Sequence, residues 1–188
     1  MTKAVRPRIK FTYEDYKSLP ESETKRYELL GGELVVVPSP STYHQRIVWR
    51  LAHILGDFVG RRGLGEIFLA PLDVVLGEGE EREVVQPDVF FISKEREKII
   101  AEEEIRGAPD LVIEITSPAT EDRDRHYKKT LYARHGVKEY WIVDPKEKTV
   151  EIYTLGTKGF ELVKVYKAGE ILESPLLPGL VVDLKEVF

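Results

Sequence analysis

The run EREVVQPDVFFIS, residues 81–93, carries Val84, Val85, Val89, Phe90, Phe91 and Ile92 and reads as a buried strand. Its QPD interrupts the apolar pattern. Pro87 cannot donate to a sheet ladder, so it belongs at a strand's first residues or on an edge. Asp88 then stands where a core strand takes a hydrocarbon, and a buried carboxylate needs a partner. Upstream, GEIFLAPLDVVL (65–76) reads as the adjacent strand, joined through Gly77 and Gly79. Downstream, SKEREKIIAEEEIRG (93–107) reads as a short charged helix closed by Gly107, and PDLVIEITSP (109–118) as a further apolar strand.

Thr120 is positioned to cap a helix that runs to about Arg134, with Gly136 just past its end. KEYWIVDP (138–145), TVEIYTL (149–155) and FELVKVYK (160–167) follow as strands, and SPLLPGLVVDL (174–184) as a loop and a last strand. Before the core, Thr12 and Asp15 make a capping-box start to a short helix ending before Pro20. RYELLGGELVVVPSP (26–40) is a hairpin turned at Gly31-Gly32. Ser41 opens a helix in which Ile47, Val48, Leu51, Ile54, Leu55, Phe58 and Val59 repeat at helical spacing, ended by Gly63. The expected architecture is one α+β domain over residues 11–188, a mixed β-sheet flanked by helices, with residues 1–10 a flexible basic N-terminus.

The chain has 188 residues, 42% hydrophobic and 32% charged, which suits a single globular domain. It has no cysteine, which excludes disulfides, thiol catalysis and cysteine-ligated metal. No run has the form of a signal peptide or a membrane span, so a cytoplasmic protein is expected. The formal net charge of −5 argues against a protein that coats nucleic acid indiscriminately, but not against a nuclease whose metal site needs clustered carboxylates.

Glu114 lies between Ile113 and Ile115 and is a second acid in an apolar strand. Two carboxylates on neighbouring strands repel unless a cation or a shared proton lies between them. Magnesium, which takes a few carboxylate oxygens plus water and phosphate, resolves the conflict; the alternative is that each acid faces solvent or pairs with an arginine. Asp124, Lys128 and Tyr132 recur every four residues and share a helix face that sends Lys128 toward the two acids, or leaves Asp124 and Lys128 as a surface pair. Lys129 points about 100° away.

The segments YELLGGELVVVPSPSTYH (27–44), QPDVFF (86–91), 109–145 with its EITSP, Asp124, Lys128, Tyr132 and VKEYWIVDP, and 174–184 resemble the Uma-type family of restriction-endonuclease-like proteins. That family lies within the PD-(D/E)XK nuclease superfamily, so the resemblance implies a restriction-endonuclease-like core with an added N-terminal hairpin and C-terminal strands. It also implies Mg²⁺ or Mn²⁺ held by Asp88, Glu114 and the Ile115 backbone carbonyl, with Lys128 as the catalytic lysine. Thr116 occupies the position where the superfamily places its lysine, and the Uma-type pattern supplies that charge from the following helix.

His44, Asp73 and Asp124 are accessory candidates, each with a bland alternative as a surface or packing residue. Glu28 and Glu33 read as solvated flanks of the hairpin turn, with the alternative, implied by the resemblance, that a nearby acid completes the metal site; Tyr127 and Leu131 read as core, and His126 and His135 as helix surface. Asp144 reads as a turn residue and Trp141 as core or interface. Arg46, Arg50, Arg123 and Arg125 are candidates for phosphate contacts. The expected activity is metal-dependent hydrolysis of phosphodiester bonds, with DNA as substrate and a homodimer as the working unit. The competing reading is a non-catalytic, homodimeric nuclease-like binding module. A serine hydrolase or a P-loop enzyme is disfavoured, because neither G-x-S-x-G nor G-x-x-x-x-G-K-[ST] occurs.

Overall fold

The structure, a computed structural model, describes residues 10–20 and 25–188. The expected flexible segment 1–10 therefore lies outside the described residues except for Lys10. Helix α1 (Tyr13–Lys17) starts on the full Thr12–Asp15 capping box. Strands β1 (Arg26–Leu30) and β2 (Glu33–Val37) form the expected hairpin, with Gly31 and Gly32 at φ 57° and 83°, as a two-residue primed turn demands. Helix α2 (Thr42–Arg62) is capped by the Ser41 side chain and stopped by Gly63 in the left-handed region.

The two long apolar runs behave differently from the expectation. Residues 65–76 form two strands, β3 (Gly65–Leu69) and β4 (Asp73–Leu76), and residues 83–93 likewise form β5 (Glu83–Val85) and β6 (Val89–Ser93). Each breaks at its proline, Pro71 or Pro87, which supplies no N–H to continue a ladder. At those breaks the chain passes from one sheet to another: β3 pairs with β6, and β4 with β5. The expected charged helix at 93–107 is also corrected. Lys94–Ile99 is a 3₁₀ segment, and β7 (Glu104–Arg106) then joins β4 in parallel.

Strands β8 (Leu111–Ile115), β9 (Glu139–Asp144), β10 (Thr149–Gly156) and β11 (Gly159–Lys167) follow. Between β8 and β9 a π-helical stretch, Arg123–Lys128, runs into α3 (Lys129–Arg134). The chain closes with β12 (Ile171–Glu173), β13 (Val181–Asp183) and α4 (Leu184–Val187). A six-stranded sheet has the order β11-β10-β9-β8-β6-β3, and a five-stranded sheet the order β2-β1-β5-β4-β7. Only β8–β9 within the larger sheet and β4–β7 within the smaller are parallel, so both sheets are mixed.

The central strands β6, β8 and β9 of the larger sheet are covered on both faces, which is why they lack a polar alternation. Val89, Phe91, Leu111, Ile113, Trp141 and Val143 pack under α2 and the C-terminal elements. Phe90, Ile92, Val112, Tyr140 and Ile142 pack against the smaller sheet and α3. Trp141 is fully buried, its indole N–H donating to Glu139, so it belongs to the core. Among the described residues no helix is long and apolar enough to cross a membrane.

Candidate active site

Antiparallel pairing sets Val89 opposite Ile113, so one step further along the same register Asp88 stands across from Glu114. β6 begins where β8 ends. Because β8 and β9 are parallel, both open at this end of the sheet, where open α/β sheets bind ligands. A cleft of about 550 Å³ lies there, and Asp88, Glu114, Ile115, His44, Lys128 and Asp124 are among its walls.

The Asp88 Oδ2 accepts the Ile115 N–H at 2.8 Å and lies 3.2 Å from His44 Nε2. A strand residue directs its N–H and C=O to the same edge, so the Ile115 carbonyl also faces Asp88. Burial alone would lower the His44 pKa, but Asp88 and the Ile115 carbonyl outweigh it and hold the imidazole above its ordinary value.

Alternation along β8 turns Glu114 away from Ile113 and Ile115, toward α3. Its Oε1 accepts from Tyr132 Oη at 2.6 Å and from Lys128 Nζ at 3.0 Å. Lys128 Nζ also donates to Glu28 Oε1 at 2.7 Å and stands 3.8 Å from Asp124. Glu28, Glu114, Asp124 and Lys128 are 1%, 4%, 2% and 3% exposed, so this is a buried cluster, not a solvated helix pair. The π-helical stretch carries Asp124 and Lys128, and such stretches recur at functional sites.

The cluster is short of positive charge. Burial, then the carboxylates of Asp124, Asp88 and Glu28, pushes the Glu114 pKa up to about 8 although Lys128 opposes the rise. Asp124 is raised by burial against the same lysine. Burial would lower Lys128, yet Glu114, Glu28 and Asp124 together hold its ammonium well above the ordinary range. Among the described residues, five buried polar atoms at the cleft have no hydrogen-bond partner: Glu28 Oε2, His44 Nδ1, Gln86 Oε1, Arg123 Nε and Asp124 Oδ1.

Among the described residues no three His, Asp or Glu side chains form a ready-made cation cage. Magnesium does not ask for one, since it keeps waters and binds through one or two carboxylates. The hard oxygens of Asp88 and Glu114, with excess negative charge behind them, fit such an ion.

The remaining candidates divide. Asp73 stands outside the cleft and accepts from Tyr16 Oη at 2.9 Å and Gln86 Nε2 at 2.8 Å. Arg123 lines the cleft, 4.0 Å from Glu28. Arg125 is engaged by Glu121, Asp144 and Glu151, and Arg50 donates to the Val187 carbonyl at 3.1 Å. Arg46 is exposed on α2.

Other expectations are overturned. Glu28 is buried and bonded to Lys128, with its Oε1 also accepting the Gln86 N–H at 2.9 Å, and is not solvated. The readable signal was its position two residues before buried Leu30, on the same strand face. Tyr127 is 41% exposed with its hydroxyl on Glu83, whereas Leu131 is core as expected. His135 is half-buried, against the surface reading, while His126 is exposed. Asp144 accepts the N–H groups of Lys146 and Glu147, the turn role expected of it.

Residues 13–185 match the Uma2 family, described as putative restriction endonuclease. Two Synechocystis sp. proteins, sll1609 and slr1290, are similar. The first is 26% identical over 76% of this chain and 79% of its own length, the second 25% identical over 89% and 86%. A crystal structure from Anabaena variabilis, titled as a putative nuclease belonging to DUF820, shares the fold. It superposes at TM-score 0.78 with 24% identity, covering 95% of this chain and 97% of that one. The fold is thus restriction-endonuclease-like, and with the family matched across nearly all of its length, the chain belongs to the Uma2 family of putative restriction endonucleases.

Proposed function

We propose that this protein hydrolyses phosphodiester bonds of DNA with the help of Mg²⁺ or Mn²⁺. The observation that carries the reading is the cleft short of positive charge: Asp88 and Glu114 fall at opposed positions where β6 begins and β8 ends, with the buried Lys128 among the remaining acids. Asp88, Glu114 and the Ile115 carbonyl would hold the ion. When bound, it supplies Lewis acidity toward the phosphate oxygens.

The chain's own groups do the rest. Tyr132 and Lys128 both bind Glu114 Oε1 and fix the orientation of that carboxylate. Lys128 and Arg123 contribute positive charge at the wall where negative charge builds up on the phosphate. His44 and the Ile115 N–H hold the Asp88 carboxylate. A homodimer would supply two such centres, one for each strand of a duplex.

The test is cleavage of supercoiled plasmid and of single-stranded DNA in Mg²⁺ and Mn²⁺, by wild type, Asp88→Asn and Glu114→Gln. Metal-dependent nicking by wild type that disappears in both variants is expected. A folded wild type that binds DNA but never cleaves it would favour the non-catalytic module.

A further inference from the structure

Trp49 is 65% exposed, far more than any other Phe, Tyr or Trp among the described residues. It stacks on His53, ring centroids 5.4 Å apart and planes within 1° of parallel, and most of the indole stays open to solvent. Helical spacing aligns Thr42, Gln45, Arg46, Trp49 and His53 along one stripe of α2, opposite the face that buries Ile47, Leu51 and Leu55. A shallow groove follows this stripe, and its rim at Pro40 and Ser41 is also a wall of the candidate active cleft. From Thr42 to Trp49 is about 10 Å along the helix axis, near the rise of about three stacked nucleotides.

We propose that Trp49 is a base-stacking platform for an unpaired stretch of the strand cleaved in the cleft, with Arg46 meeting its backbone phosphate. The proposal rests on the phosphodiesterase reading and names the substrate form it takes. Arg46 forms no ion pair among the described residues, whereas Arg50, which also lines the groove, donates to the Val187 carbonyl. The competing occupant, a second copy of the chain, fits less well. A protein interface wants a buried centre built from several apolar side chains, and here a lone aromatic is flanked by Gln45, Arg46 and Thr42. One indole beside one guanidinium suits a base and its phosphate, and is tolerant of sequence.

The experiment titrates the protein in EDTA with a twelve-residue oligo-dT and with an abasic strand of the same length, following tryptophan fluorescence and anisotropy. Because no divalent ion is present, stacking is read whether or not the cleft cleaves. Wild type should bind oligo-dT with quenching and bind the abasic strand about ten- to a hundredfold more weakly, as the loss of base–aromatic stacking dictates. Trp49→Ala should bring oligo-dT down to the abasic level, and Trp49→Phe should restore most of the difference. Equal affinity of wild type for the two strands, or no effect of Trp49→Ala, would overturn the proposal. So would a wild-type dimer that Trp49→Ala converts to monomer in sedimentation, which would give this face to a second copy.

Discussion

Replacing Lys128 with methionine keeps an unbranched chain of similar length and removes only the cation. In the wild type that ammonium donates to Glu28 at 2.7 Å and Glu114 at 3.0 Å, with Asp124 at 3.8 Å. Taking one partner from a buried ion pair costs about 3–5 kcal/mol, because the remaining charges stay buried without compensation. For a domain of this size that corresponds to a fall of about 6–20 °C in Tm at alkaline pH, where Glu114 is charged. The loss should depend on pH in a definite direction. Burial and the neighbouring carboxylates push the Glu114 pKa up from an ordinary 4.5 to about 8, so its contribution is fully present below the ordinary value and fades as pH rises through the raised one. Lys128 opposes that rise, so removing it moves the Glu114 pKa higher and makes the variant worst above about pH 8 and least affected near pH 5. Mg²⁺ or Mn²⁺ should return part of the lost stability by replacing the missing positive charge. Thermal melts at both pH values, with and without the ion, measure all of this. A variant as stable as wild type above pH 8, or one hurt more in acid, would refute the charge-balance reasoning.

Asp110 is buried and accepts from Lys138 at 2.7 Å and the Ser93 N–H at 2.8 Å, which outweigh burial and hold its carboxyl below the ordinary 3.8. Asp110→Asn should therefore cost about 1–3 kcal/mol at neutral pH, with the difference vanishing as pH falls through the depressed folded value; denaturant titration across the acid range checks it. Gly65 sits at φ 145°, where an added Cβ would stand 2.1 Å from the Ile92 carbonyl oxygen. Gly65→Ala should force β3 away from β6 and cost about 3 kcal/mol or more, and a melt within error of wild type would contradict it. Asp73 is bonded to Tyr16 and Gln86 outside the cleft, so Asp73→Asn should lower divalent affinity by less than the about tenfold that losing a supporting residue of a metal site costs. Calorimetry gives that ratio directly.

The candidate site's two acids and the helix face behind them were legible because strand and helix periodicities are local. Asp88 beside Pro87, Glu114 among isoleucines, and the four-residue spacing of Asp124, Lys128 and Tyr132 all survive in the folded geometry. What was not legible depends on tertiary placement. Two unbroken apolar runs became four strands because each crosses between sheets at a proline, and apolar bulk alone does not reveal a change of sheet. Residues 104–106 have helix-friendly composition, yet pairing with β4 makes them a strand. Glu28 looked solvated next to its turn, and only the docking of the hairpin against the π-helical stretch buries it on Lys128. Trp49 lies off the Ile47–Leu51–Leu55 stripe, so its outward position follows from helical spacing, but its stacking on His53 and the groove beside it exist only in the fold.

The decisive measurement is divalent-ion binding by calorimetry on wild type, Asp88→Ala and Glu114→Ala. Wild type should bind Mg²⁺ or Mn²⁺, and removing either carboxylate should abolish the binding while the fold persists. A folded wild type that takes up neither ion would contradict it, leaving Asp88 with only His44 and the Ile115 N–H to account for its place at the end of β8.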